Sequence, residues 1–275
     1  MQQLLKDLIV DRVRTTFNDR AHGEEPVRPS DDGLLGPDSV AWRVHGDLTT
    51  MMIGGLAGLL LQMLHPGVLA GVWDHSRFRE DMHGRLRRTA RFIALTTYGS
   101  RAEAEAAIAR VRAIHRHVRG ALPDGTAYHA QDPELLAWVH ATETLCFLDA
   151  WQRYSGRALS LADQDRYFAE MAVVGEALGV VAAPRSRADM LALVEHLRPQ
   201  LRADARSREV ARIILDPPAQ SAAMVPVQRL TIQAGVDLLP RWARRMHGLR
   251  SSRLSRPLVR AGTYGIAETL RWAFR

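Results

Sequence analysis

Two imidazoles lie two positions apart in ARVRAIHRHVRG, residues 109–120. A neutral imidazole can bind a metal or move a proton near pH 7, so the direction each one points decides what it can do. On an α-helix two positions are turned by about 200°, so His115 and His117 face nearly opposite sides and cannot share one metal ion or one substrate. With Ile108 as the zero direction, Val111, His115 and Val118 all fall within about 80° of it, and His117 falls about 180° away, beside Arg110. His115 is therefore the inward candidate, either as a hydrogen-bonded core residue or as a ligand. His117 is the solvated one.

Two further groups share this character. In PELLAWVHATETLCFLDAWQRY, residues 133–154, His140 and Glu143 sit on the stripe formed by Leu136, Phe147 and Ala150. A histidine and a carboxylate buried three residues apart must find partners in each other or in a neighbour, because burial without one is costly. They are either a structural pair or support for a site. In GRLRRTARFIALTTYG, residues 84–99, Arg85 and Thr89 are four apart and share a face that Phe92 and Thr96 continue. Such a stripe is either solvated or turned toward an anionic or oxygen-bearing ligand.

Other chemistries lack their residues. There is no His pair at i, i+4 and no HExxH, so a zincin-type site is not expected. Glu-x-x-His occurs once, from Glu80 to His83, whereas a ferritin-like di-iron bundle needs it twice. GxGxxG, P-loop and GxSxG motifs are missing. Cys146 is the only cysteine, which rules out an internal disulfide, a CxxC pair and a Cys-type zinc site.

The elements that must hold these side chains read as helices almost throughout. Helices are expected over about 1–17, 47–64, a short piece within 65–78, and 84–99. The next starts at Ser100, with Glu103 completing a capping box, and closes at Gly120. A loop follows to Asp132, which caps a helix over 133–154 with Pro133 in its first turn. Further helices are expected near 161–178, 186–197, 204–215, 225–236 and 239–248. Period-two strands and internal repeats are lacking. The fold class is all-α, in one main domain over 35–250, with an N-terminal helix and loop extension over 1–34 and a basic C-terminal segment over 251–275.

Composition narrows the partners. At 275 residues and 47% hydrophobic, the chain can bury a substantial core. The net charge of +7 is carried by arginine, Lys6 being the only lysine. RWARRMHGLRSSRLSRPLVR, residues 241–260, holds seven arginines and no acid. That stretch suits a solvated basic surface or contact with a membrane surface; nucleic acid is not expected, for want of a recognisable binding motif. LTTMMIGGLAGLLLQML, residues 48–64, is uncharged but short for a membrane span and reads as a buried core helix. Its glycines suggest close approach by another helix or a flat ligand. The N-terminus lacks the apolar run of a signal peptide, so a cytoplasmic location, with peripheral membrane contact as an option, is the expectation.

The ordered set HP…DHS…GRLxRT…VxxIHxxVxG…DPELLxWVHAT, together with DRYFAEMAVVGEALGV (165–180) and LLPRWARRMHGL (238–249), closely resembles the MpaB-like oxygenase family, which includes the rubber oxygenase called latex clearing protein. The resemblance implies a globin-like helical core with additional helices, carrying haem b and using O2 on a hydrophobic, unsaturated or isoprenoid-like substrate. The family's proximal iron ligand falls on His115. The distal Arg-x-x-Lys-Thr motif falls on Arg85, Arg88 and Thr89, with Arg88 in place of the lysine. A guanidinium stays protonated and is a poor iron ligand, so lysine capping of the iron is not implied here. Arg85 and Thr89 are then placed to donate hydrogen bonds to dioxygen or to haem propionates. The glycine-rich residues 54–58 are candidates to lie against the ring, and His65, His75, His140 and Glu143 are candidates for the pocket. Before Arg85, the segment offers Asp74, His75 and Glu80 in place of the rubber enzymes' catalytic glutamate. Two alternatives share these residues: a haem-binding sensor or store without turnover, and a haem-free helical protein at a membrane surface.

Overall fold

The structure is a computed structural model that describes residues 24–217, 224–249 and 256–274, together with residues 2 and 6. The helix expected over 1–17 otherwise lies outside these residues. Twelve α-helices are present among the described residues, and the fold is all-α. They are α1 (Val40–His45), α2 (Leu48–Gln62), α3 (Pro66–His75), α4 (Met82–Tyr98), α5 (Arg101–His115), α6 (Pro133–Tyr154), α7 (Leu161–Leu178), α8 (Arg187–Leu197), α9 (Ala205–Leu215), α10 (Val225–Leu238), α11 (Arg241–Met246) and α12 (Arg256–Phe274).

Side-chain caps fix most helix starts, as the local sequence requires. Ser100 and Glu103 form the reciprocal box at α5. Asp132 accepts from the Glu134 N–H at α6. Asp81 caps α4 two residues before the expected start, so Met82 and His83 join the helix.

α6 is the central element. Its largest contact is with α2, and it also packs on α8, α7 and α10. Glycines make the α2–α6 contact close: a Cβ on Gly54 would lie 2.8 Å from the Cys146 carbonyl oxygen and 2.9 Å from the Phe147 Cα. Gly58 likewise faces the Thr142 carbonyl. The 54–58 segment therefore lies against a neighbouring helix, which corrects the expectation that it lies against a ring. α2 is a core helix, with Ile53, Ala57 and Leu60 fully buried. No single helix among the described residues is long and apolar enough to cross a membrane.

Two expectations near His115 are corrected. α5 ends at His115, not Gly120, with the chain turning through hydrogen bonds from His117 N–H to the Ile114 carbonyl and from Val118 N–H to the His115 carbonyl. The expected loop then contains a hairpin, β1 (Arg119–Ala121) antiparallel to β2 (Ala127–His129). Gly125, at φ +86°, supplies the left-handed turn residue after Asp124. Tyr128 locks the hairpin to α3 by donating to Asp74 Oδ2 at 2.7 Å.

The C-terminal helix is part of the same packing. α12 lies against α10 and α2, and Arg271 holds Asp47 through two bonds of 2.8 and 2.6 Å. Arg244, within the arginine-rich stretch, is buried and donates to the Asp237 carbonyl at 3.0 Å.

Candidate functional site

α4 and α5 are joined by only Gly99 and Ser100, and they pack together, so they run antiparallel. Equal distances from that turn bring Arg85 level with Ile114 and Gly84 level with His115. The α4–α5 pair rests on α1 through α4 and on α7 through α5. On α6, the His140 and Glu143 side chains lie deep in the bundle and are partly accessible.

His115, in the last turn of α5, is half-buried, and its Nδ1 is buried with no hydrogen-bond partner. His117 is exposed. Burial, and then the proximity of His129 on β2, pushes the His115 pKa below 6.5, so the ring is neutral at pH 7. A neutral imidazole with an unsatisfied nitrogen is a competent metal donor. His129 is a neighbour that sequence reasoning missed, because the hairpin that carries it was expected to be loop.

Arg85 is the inward member of its group. Its guanidinium sits deep, with its pKa lowered by burial and then by the charge of Arg88. Nη1 donates to Ser76 Oγ at 2.8 Å, and among the described residues Arg85 forms no ion pair with a carboxylate. A buried cation satisfied only by a hydroxyl retains capacity for an anion. Ser76 was not foreseen, though the DHS motif holds it. Arg88 is exposed and pairs with Asp81 at 3.2 Å. Thr89 is exposed, and its hydroxyl donates back to the Arg85 carbonyl at 3.1 Å. The structure thus separates this trio instead of gathering it.

His140 and Glu143 have different surroundings. Burial lowers the His140 pKa to about 4, and Nε2 has no partner. Its ring is seated over Gly175 of α7, where a Cβ would approach it to 2.8 Å. Burial raises the Glu143 pKa to about 7, with no cation beside it. Beyond Glu143, Tyr167 and the fully buried His45 are hydrogen-bonded at 3.1 Å, and His45 reaches Thr97 at 2.8 Å. Sequence reading missed this neutral network, since His45 lies on a helix too short to show a stripe.

His65 and His75 are drawn elsewhere. His65 caps α3: Nδ1 accepts from the Gly67 N–H at 3.2 Å, and Nε2 is bonded to Gln200 at 3.2 Å. With both ring nitrogens engaged, it has no lone pair to offer. His75 is exposed and is bonded through Nε2 to the Arg119 carbonyl at 3.2 Å, so it tethers the hairpin. Both were candidates for the pocket, but His65 is bonded as a helix cap and His75 as a hairpin tether.

A family model described as ER-bound oxygenase mpaB/B'/rubber oxygenase, catalytic domain, matches residues 42–272. The chain belongs to this family. The match spans every helix from α2 to α11 and nearly all of α12, including His115, Arg85 and the α6 face described above. As a member of the mpaB/rubber oxygenase family, the chain carries an oxygenase catalytic domain, an enzyme type that acts on small molecules with O2. No curated protein and no solved structure matches it.

Proposed function

We propose that this oxygenase domain uses haem b, held through His115, to act with O2 on a hydrophobic, unsaturated small molecule. The observation that carries the proposal is the neutral, half-buried His115 with an unpartnered ring nitrogen in the last turn of α5. The donor set suits such a group. No cluster of three or more His, Cys, Asp or Glu side chains that could hold a bare metal ion occurs among the described residues. A single axial imidazole is what a macrocycle needs. Arg85, lacking a carboxylate partner, is the residue to hold a propionate.

When bound, haem would supply the activation of O2, and the protein would supply ligand, orientation and polarity. His115 stays neutral because its burial disfavours the imidazolium. Glu143, its pKa raised by burial to about 7, can hold or give up a proton at its carboxyl without a large cost in either direction. His140 stays unprotonated through the physiological range. Leu86 and Ile114, next in sequence to Arg85 and His115, are 43% and 53% exposed and offer apolar surface suited to a hydrocarbon substrate.

The test is O2 uptake by haem-reconstituted protein given an isoprenoid such as squalene, with products analysed by mass spectrometry. The proposal expects O2 consumption coupled to oxygenated product. Reversible O2 binding with no product from a panel of isoprenoids would contradict turnover and favour the sensor alternative.

A further inference from the structure

On the side of α6 turned away from His140, a cavity of about 440 Å³ opens between α6, α8, α10 and α11. That is within the range of roughly 300–1,000 Å³ usual for small-molecule sites. Its inner wall is apolar: Leu145, Val194 and Leu238 are buried there, and Leu191 stands 48% exposed at the margin. Its charges are not balanced. Each lining acid already has a cation: Asp149 pairs with Arg187 at 2.6 Å, Glu195 with Arg198 at 2.9 Å, and Asp237 with Arg153 and Arg244. Arg241 of α11 and Arg260 of α12 also line the cavity, and among the described residues neither forms an ion pair with a carboxylate. They are 19 residues apart in sequence, and only the packing of α12 brings both to one cavity.

We propose that this cavity binds a single-chain amphiphile with an anionic head, its chain along Leu145, Val194 and Leu238 and its head between Arg241 and Arg260. Two guanidinium groups suit a planar carboxylate or a phosphate, each offering paired N–H donors. The apolar wall selects against small anions, since only a chain removes that surface from water. This site is independent of the haem reading, because it uses none of the side chains assigned to haem.

The test is isothermal titration calorimetry of the full chain with dodecanoate, dodecyl phosphate, dodecanol and acetate. The proposal expects micromolar binding of at least one of the two anionic amphiphiles, with the tighter head identifying the source as fatty acid or phosphate monoester. Dodecanol should bind at least tenfold more weakly, and acetate should not bind. The double variant Arg241→Ala/Arg260→Ala, changed only at exposed side chains, should lose at least tenfold in affinity. Leu191→Glu, which places a negative charge at the margin, should also weaken binding. His115→Ala should bind the amphiphile as the unaltered chain does, so loss of haem in that variant leaves this proposal standing. No binding of either anionic amphiphile, or equal binding by the double variant, overturns it.

Discussion

Replacing Glu143 with glutamine tests whether the α6 face is as dry as the structure makes it. In the folded protein, burial holds the Glu143 pKa at about 7, against an ordinary value of 4.5. The folded state therefore keeps a proton that the unfolded chain releases above pH 4.5. Stability from this group is fully present below that pH and is lost as pH rises toward 7. At about 1.4 kcal/mol per pH unit, the loss between pH 5 and pH 8 is about 2–3 kcal/mol. Glutamine keeps the shape and cannot ionise, so Glu143→Gln should gain that amount relative to the unaltered protein over the same interval. The comparison must be made between the two proteins. Buried neutral histidines such as His45 and His140 act in the opposite sense, favouring the fold as pH rises toward 6.5. That background cancels in the difference. Cys146 and Tyr167 beside Glu143 stay protonated throughout, since burial pushes both upward. Urea unfolding at pH 5, 6, 7 and 8 measures the quantity. A difference that does not change with pH would show that Glu143 titrates as an exposed carboxylate, and its burial on α6 would have to be abandoned.

Other outcomes follow from the packing around the site. Gly54→Val should destabilise the fold by about 3 kcal/mol or more, because the new side chain meets α6 backbone that has no room to yield; urea or thermal unfolding checks this, and a loss below about 0.5 kcal/mol would contradict the close α2–α6 contact. Arg271→Ala should cost about 2–3 kcal/mol by leaving the nearly buried Asp47 carboxylate without its cation. An Asp47→Asn/Arg271→Ala double variant should recover part of that loss, and no recovery would mean that the two do not act as a pair.

Much of this architecture was legible in the chain because its helices are punctuated. Asp132 and Pro133 at one end and Tyr154 at the other set the limits of α6 as observed, and the Ser100–Glu103 box fixed the start of α5. GGLAG signalled a close approach, though it could not say to what. The hairpin over 119–129 escaped notice because each strand has three residues and only Tyr128 is buried, so no alternation could form. The Asp124–Gly125 pair was its one local signal. Helical phase assigned His115 inward and His117 outward, and that assignment holds although α5 ends at His115 and His117 sits in the turn beyond it. The fate of His65 and His75 was not legible in this way, because it depends on Gln200 and Arg119, partners 135 and 44 positions away. The stripe through Arg85 and Thr89 likewise said nothing of depth: the first is sunk against Ser76 and the second is exposed.

The most direct measurement of the central claim is the visible absorption spectrum, oxidised and reduced, of protein expressed with haem precursor, for the unaltered chain and for His115→Ala and His117→Ala. The account predicts a Soret band in the unaltered chain and in His117→Ala, and its loss in His115→Ala with the far-ultraviolet circular dichroism of the helices retained. A His115→Ala protein that keeps the same Soret band, or an unaltered chain that shows none, would contradict it.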